Sequence, residues 1–100
     1  MSLVKGKKGL IMGVANERSI AWGISQKLAN AGAELAFTYL GEALKKRVIP
    51  LAKSLNSDFT LSCNVESKEE IIKLFEDIKE KWGQIDFVVH AVAFSDKSEL

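Results

Sequence analysis

Four short apolar runs alternate with three amphipathic segments along this 100-residue chain. The runs occupy residues 9–14, 33–40, 59–65 and 85–92. Runs of this length, separated by helical segments, are typical of parallel strands that are covered on both faces. The order β-α-β-α-β-α-β with right-handed crossovers places helices on both sides of one sheet. The expected fold class is therefore α/β: a Rossmann-type, doubly wound parallel sheet in three α/β/α layers, with strand order 3-2-1-4.

The three intervening segments carry apolar residues at helical spacing. These stripes are Ile20, Ile24, Leu28 and Ala31, then Leu44, Val48, Leu51 and Leu55, then Ile71, Phe75, Ile78 and Trp82. Gly32 and Gly83 predict the ends of the first and third helices. Ser67 and Glu70 predict a capping box in which Glu70 reaches back to the Ser67 amide. Pro50 predicts a kink or a restart within the second helix.

The charge and cysteine counts exclude several classes of partner. Lys+Arg is 14 and Asp+Glu is 13, which gives a formal net charge of +1. This balance gives no reason to expect nucleic acid or an anionic membrane as a partner. Cys63 is the only cysteine, so an intrachain disulfide is excluded and a cytoplasmic location is expected. We see no secretory signal or membrane span, and we expect no metal site.

The segment after the first run has the features of a phosphate-binding turn. Gly13 would let the backbone approach a phosphate without a Cβ, and Ser19 can cap the first helix while donating its hydroxyl to a phosphate oxygen. Ile20 would offer its backbone N–H to the same group, and Gly23 would let the helix pass close to the first strand. The G-x-G-x-x-G fingerprint is absent, so a turn glycine with an ordinary serine cap remains the alternative to dinucleotide binding.

The ends of the other runs would complete such a site, because ligands of open α/β sheets bind beyond the carboxyl ends of the strands. Leu40 would lie near the adenine ribose. Asn64 would accept a hydrogen bond from the adenine amino group through its Oδ, and Val65 would pack on the ring or offer its N–H. Val92 would lie near the nicotinamide-side ribose. Plain strand-end packing explains each of these residues equally well when it is taken singly.

Three other polar features favour a structural explanation. His90 lies in a run that reads as a buried strand, which favours a core histidine bonded to the backbone over a catalytic one. Cys63 is a weak nucleophile candidate because the sequence places no base beside it. The basic cluster at residues 45–47 is interpreted as a solvated helix face, and an electrostatic role near a bound phosphate is the alternative.

Residues 13–24, 32–39 and 89–94 closely resemble segments of the bacterial enoyl-acyl-carrier-protein reductases, a divergent branch of the short-chain dehydrogenase/reductase family. The resemblance implies NADH-dependent reduction of the trans-2 double bond of an enoyl-acyl-carrier-protein in fatty acid biosynthesis. It also implies acyl carrier protein as a partner and a homotetramer. Another short-chain dehydrogenase, such as a ketoacyl reductase, and a noncatalytic dinucleotide-binding module are the alternatives.

The resemblance also assigns roles to single residues. The implied cofactor contacts are Gly13, Ser19, Ile20, Leu40, Asn64, Val65 and Val92, and the implied substrate contact is Ser95. The family's Tyr-x6-Lys pair is expected beyond Leu100, so no catalytic residue is assigned in this chain and the chain alone is expected to be inactive.

This chain differs from many family members at two of the implied contacts. Many members carry Asp at position 64 and Gln at position 40. No carboxylate ends the second run to repel a 2′-phosphate, and Lys45 or Lys46 could attract one; NADH is still expected on the resemblance.

The fourth run argues that the fold continues beyond this chain. From Phe87 to Phe94 only His90 is polar, and strand order 3-2-1-4 leaves this run at an edge of the sheet. Exposed apolar edges aggregate, so a further strand is expected to cover this one. Residues 1–100 are accordingly expected to form the N-terminal part of a single dinucleotide-binding domain.

Overall fold

The computed structural model describes residues 5–14, 19–64 and 66–90. Four strands and three helices alternate along the chain. In chain order they are β1 (Lys8–Met12), α1 (Ile20–Asn30), β2 (Glu34–Tyr39), α2 (Glu42–Ser54), β3 (Thr60–Ser62), α3 (Lys68–Trp82) and β4 (Phe87–His90). The predicted order of elements is confirmed, with strand ends that move by a few residues.

The four strands form one parallel sheet in the order β3-β2-β1-β4. β1 pairs with β2 from Lys8 opposite Glu34, and with β4 from Gly9 opposite Phe87. β2 pairs with β3 from Phe37 opposite Thr60. The predicted strand order is therefore confirmed, and β1 lies inside the sheet with a neighbour on each side.

Two buried clusters cover the opposite faces of the sheet, because successive side chains of a strand point to opposite sides. On one face Ile11, Leu35 and Phe37 pack with residues of α1 and α2. On the other face Leu10 and Met12 pack in a cluster with residues of α3. The three-layer α/β/α arrangement expected from the sequence is thus present.

The helix ends follow local rules that are readable in the sequence. The Gly32 N–H donates to the Ala29 carbonyl at 3.0 Å, and the Ala33 N–H donates to the Leu28 carbonyl at 3.1 Å. Gly32 has a φ of +96°. This pair of bonds is a Schellman motif, which satisfies carbonyls that the last turn of α1 leaves free. Gly83 ends α3 in the left-handed region with a φ of +80°. Both predicted glycine stops are confirmed.

The buried face of α1 differs from the predicted stripe. Ala21, Trp22 and Ser25 are buried, whereas Ile20 is 78% exposed. Ser25 Oγ donates to the Ala21 carbonyl at 2.7 Å, so its hydroxyl is satisfied within the core. The prediction that Ile20 faces the core is wrong. Ile20 is the first helical residue, and the core packing of α1 begins with the residue after it.

The second helix continues through Pro50 as one element. Val48 and Ala52 flank Pro50 and are fully buried in the cluster that includes Phe37. Pro50 removes one backbone donor, but these two contacts hold the helix against the sheet on both sides of it. The predicted restart is therefore wrong.

β4 is more exposed than its apolar sequence predicts. Val88 is 44% exposed and His90 is exposed, whereas Phe87 and Val89 are partly buried against the α1–α2 cluster. In the described part of the chain, β4 pairs with a strand on one side only. Val88 and His90 point to the face on which α3 lies, and that cluster includes neither of them. In the described part of the chain His90 is therefore exposed, and the burial that the sequence predicts for it is not observed there.

Gly9 in β1 allows the Phe87 ring of β4 to lie directly over the sheet. A Cβ at Gly9 would overlap the Phe87 ring atoms. The two residues are register partners, so the close approach is set by strand pairing. Gly9 is therefore a packing requirement of the β1–β4 pair.

We expect Gly9→Ala to destabilise the fold by about 1–3 kcal/mol, as overpacking of a core does. Urea unfolding of the single variants and of the double variant with Phe87→Ala measures the coupling. The cost of Gly9→Ala should disappear when the Phe87 ring is absent. Equal costs in both backgrounds would contradict the ring contact.

Asp86 joins the start of β4 to the start of β1. The Lys8 N–H donates to Asp86 Oδ2 at 2.8 Å, and the Asp86 N–H donates to the Lys8 carbonyl at 2.7 Å. The bond from the Lys8 backbone is the main cause that holds the pKa of Asp86 below its ordinary value of 3.8, and a bond from Gln84 adds to it. The charged carboxylate is therefore favoured in the folded state.

Because the pKa of Asp86 is lower in the folded state, its stabilisation is complete above the ordinary pKa and is lost as the pH falls below it. We expect the free energy of unfolding to fall in this acidic range, and Asp86→Asn to reduce that dependence. Gln84→Ala should reduce it less, since that bond is the weaker cause. Urea unfolding between pH 2.5 and 6 tests both variants, and identical profiles for wild type and Asp86→Asn would refute the assignment.

Candidate functional site

The carboxyl ends of the four parallel strands meet at one edge of the sheet. Met12 lies opposite His90, and Tyr39 lies opposite Ser62. Because strand order is β3-β2-β1-β4, the residues that follow the strands are arranged laterally as Asn64, Leu40 and Gly13, with β4 beyond them. Neighbouring strands are about 4.8 Å apart, so Gly13 and Asn64 lie on strand ends about 10 Å apart.

The strands on the two sides of β1 are reached by connections that run in opposite directions across the sheet. The α1 crossover connects β1 to β2, whereas α3 leads from β3 past β2 and β1 to β4. Ligands of open α/β sheets bind at the carboxyl ends of the strands beside a switch point of this kind, so this edge is the candidate site.

Gly13 begins the turn out of β1 with a φ of +113°. A side chain is strained in this backbone conformation, so glycine is required here irrespective of any ligand. The sequence suggested Gly13 for the space that its missing Cβ leaves; the structure adds the conformational reason. Residues 15–18 of the turn lie outside the described part of the chain.

The first turn of α1 presents free backbone donors at this edge. Ser19 is the N-cap, and its Oγ accepts a hydrogen bond from the Trp22 N–H at 3.3 Å. The N–H groups of Ile20 and Ala21 precede the first residue that has an intrahelical acceptor. The first turn contains no acidic residue. The N-terminus of α1 therefore retains the positive partial charge that favours an anion.

Leu40 and the start of α2 follow the neighbouring strand. Leu40 is 53% exposed, and Gly41 caps α2 with a φ of +88° and without a side-chain hydrogen bond. Glu42 is in the first turn of α2, and the basic cluster at residues 45–47 follows it. No carboxylate was expected from the sequence at the end of this strand. Glu42 lies three residues beyond the last residue of β2 and is the first residue of α2. An acidic residue is common at a helix start, so the predicted start of the second helix could have revealed this carboxylate.

Three hydrogen bonds join Asn64 to residues at and just before the start of α3. Its N–H donates to Glu70 Oε1 at 3.0 Å, its carbonyl accepts from the Ser67 N–H at 3.0 Å, and its Oδ1 accepts from the Glu66 N–H at 2.9 Å. Ser67 Oγ also accepts from the Glu70 N–H at 3.3 Å, as predicted. The second half of the predicted capping box is wrong. The Ser67 N–H already has an acceptor, so the Glu70 carboxylate turns to the free N–H at the end of β3.

Cys63 is the residue before Asn64, and its thiol is unsuited to nucleophilic chemistry. Its side chain is 2% exposed. Burial raises the pKa of the thiol, and the Glu70 carboxylate raises it further. The thiol is therefore held in its protonated, unreactive form.

The predicted role of Gly23 is wrong. Gly23 is exposed, and a Cβ built on it would meet no heavy atom within 4 Å in the part of the chain that the structure describes. The close contact with β1 that the sequence suggested is therefore absent at this residue. The remaining predicted contacts, Val65, Val92 and Ser95, lie outside the described residues.

The described residues show two absences. Across residues 5–14, 19–64 and 66–90, no group of three or more His, Cys, Asp and Glu side chains is placed to hold a metal ion. Within the same ranges, no helix is long and apolar enough to cross a membrane.

Comparisons with known proteins give a consistent result. Residues 13–100 match the model of the family described as enoyl-(acyl carrier protein) reductase. The enoyl-[acyl-carrier-protein] reductase [NADH] 2 of Rhizobium meliloti is 63% identical over 98% of this chain and 37% of its own length. The chain thus spans little more than a third of the curated relatives that it matches.

Two solved structures have the same fold at high sequence identity. The enoyl-acyl-carrier-protein reductase of Anaplasma phagocytophilum in complex with NAD has a TM-score of 0.90 and 54% identity, over 98% of this chain and 37% of that one. The Bacillus cereus enoyl-acyl carrier protein reductase with NADP+ and indole naphthyridinone has a TM-score of 0.82 and 49% identity, over 88% of this chain and 35% of that one. With the family match over residues 13–100, these likenesses show that the chain belongs to the enoyl-(acyl carrier protein) reductase family.

Proposed function

We propose that the full-length protein containing this chain reduces the trans-2 double bond of an enoyl group carried on acyl carrier protein, with NADH as the reductant, in fatty acid biosynthesis. The observation that carries this proposal is the 63% identity to a relative named as an NADH-dependent enoyl reductase, over 98% of the chain. Residues 1–100 are then the N-terminal part of a single dinucleotide-binding domain. By family resemblance the full-length protein assembles as a homotetramer.

The described residues fit a dinucleotide. The N–H groups of Ile20 and Ala21, the Ser19 hydroxyl and the glycine turn at Gly13 would face a pyrophosphate at the positive end of the α1 dipole. Leu40 supplies exposed apolar surface beside the ribose position at the end of β2. Asn64, on a strand end about 10 Å from that of Gly13, would lie at the position of the base. Val65 and Val92 would extend the same contacts.

The residues of this chain bind and orient rather than move protons. A bound NADH would supply the hydride that reduces the β-carbon of the substrate. Ser95 would lie beside the substrate carbonyl, as the resemblance implies. His90, exposed at the end of β4, and the buried Cys63 have no assigned part in the reaction.

We expect Gly13→Val to weaken NADH binding by the full-length protein at least about tenfold, because the branched side chain would be strained at this φ and would fill the approach to the phosphates. Quenching of tryptophan fluorescence, with energy transfer from the buried Trp22 to NADH, measures the affinity.

Gly23→Ala is the control for replacement of a nearby glycine, and urea unfolding of Gly13→Val measures the backbone strain at position 13 separately from NADH binding. Gly23 is an exposed glycine ten residues further on with open space at its Cβ, and alanine there should leave affinity unchanged and stabilise α1 slightly. Equal NADH affinity in wild type and Gly13→Val would remove the phosphate assignment. Failure of the wild type to oxidise NADH with a trans-2-enoyl thioester would refute the proposed activity.

A further inference from the structure

We draw no further inference here: the strongest candidate, the open cavity at the amino edge of the sheet between the end of α1, the α2–β3 connection and the end of α3, is lined by charged side chains of both signs, its Phe59 and Trp82 rings already hold the ammonium groups of Lys81 and Lys8, and nothing in the structure shows what covers it.

Discussion

The position of β1 inside the sheet determines where the described residues of the candidate site lie. Leu10 and Ile11 are fully buried on opposite faces of this strand, and β2 and β4 pair with its two edges. A strand confined in this way can end only at the carboxyl edge, between its two neighbours. The chain then has to turn sharply at Gly13 to begin α1, and the positive φ of that glycine follows from the turn. The place of the candidate site is thus a consequence of packing and chain direction before any side-chain chemistry is considered.

The three helices that begin at this edge differ in the charge of their first turns. The first turn of α1 has no acidic residue, that of α2 has Glu42, and that of α3 has Glu69 and Glu70. A carboxylate in the first turn partly neutralises the helix dipole. Only α1 therefore retains its full attraction for an anion, and α1 is also the helix that leaves the central strand. In α3 the Glu70 carboxylate has a further role, because it accepts a hydrogen bond from the Asn64 backbone N–H.

Periodicity predicted the elements, the strand order and the two-sided packing, because these depend on local spacing of apolar residues and on general rules of chain handedness. It failed where the outcome depends on neighbours that are distant in sequence. Ile20 fits the helical stripe but starts the helix beyond the core, and His90 fits a buried strand that has no described cover on one face. Glu70 fits a capping box, yet a free N–H at the end of β3 offered it a better partner. The candidate site residues could be named from the predicted ends of the strands. Which of their donors and acceptors are already bonded within the protein could be seen only in the structure.

The choice between the two nicotinamide cofactors depends on side chains around the end of β2 and not on the fold. One relative of this fold is in complex with NAD and another with NADP+, at 54% and 49% identity to this chain. Here Glu42 lies in the first turn of α2, and the basic cluster at residues 45–47 follows it in the same helix. Lys46 and Arg47 are exposed, and water and salt screen charges of that kind over about 8 Å. Glu42 is exposed as well, so the carboxylate and these cations are screened alike, and the expectation of NADH rests on the similarity to relatives named as NADH-dependent and not on these charges.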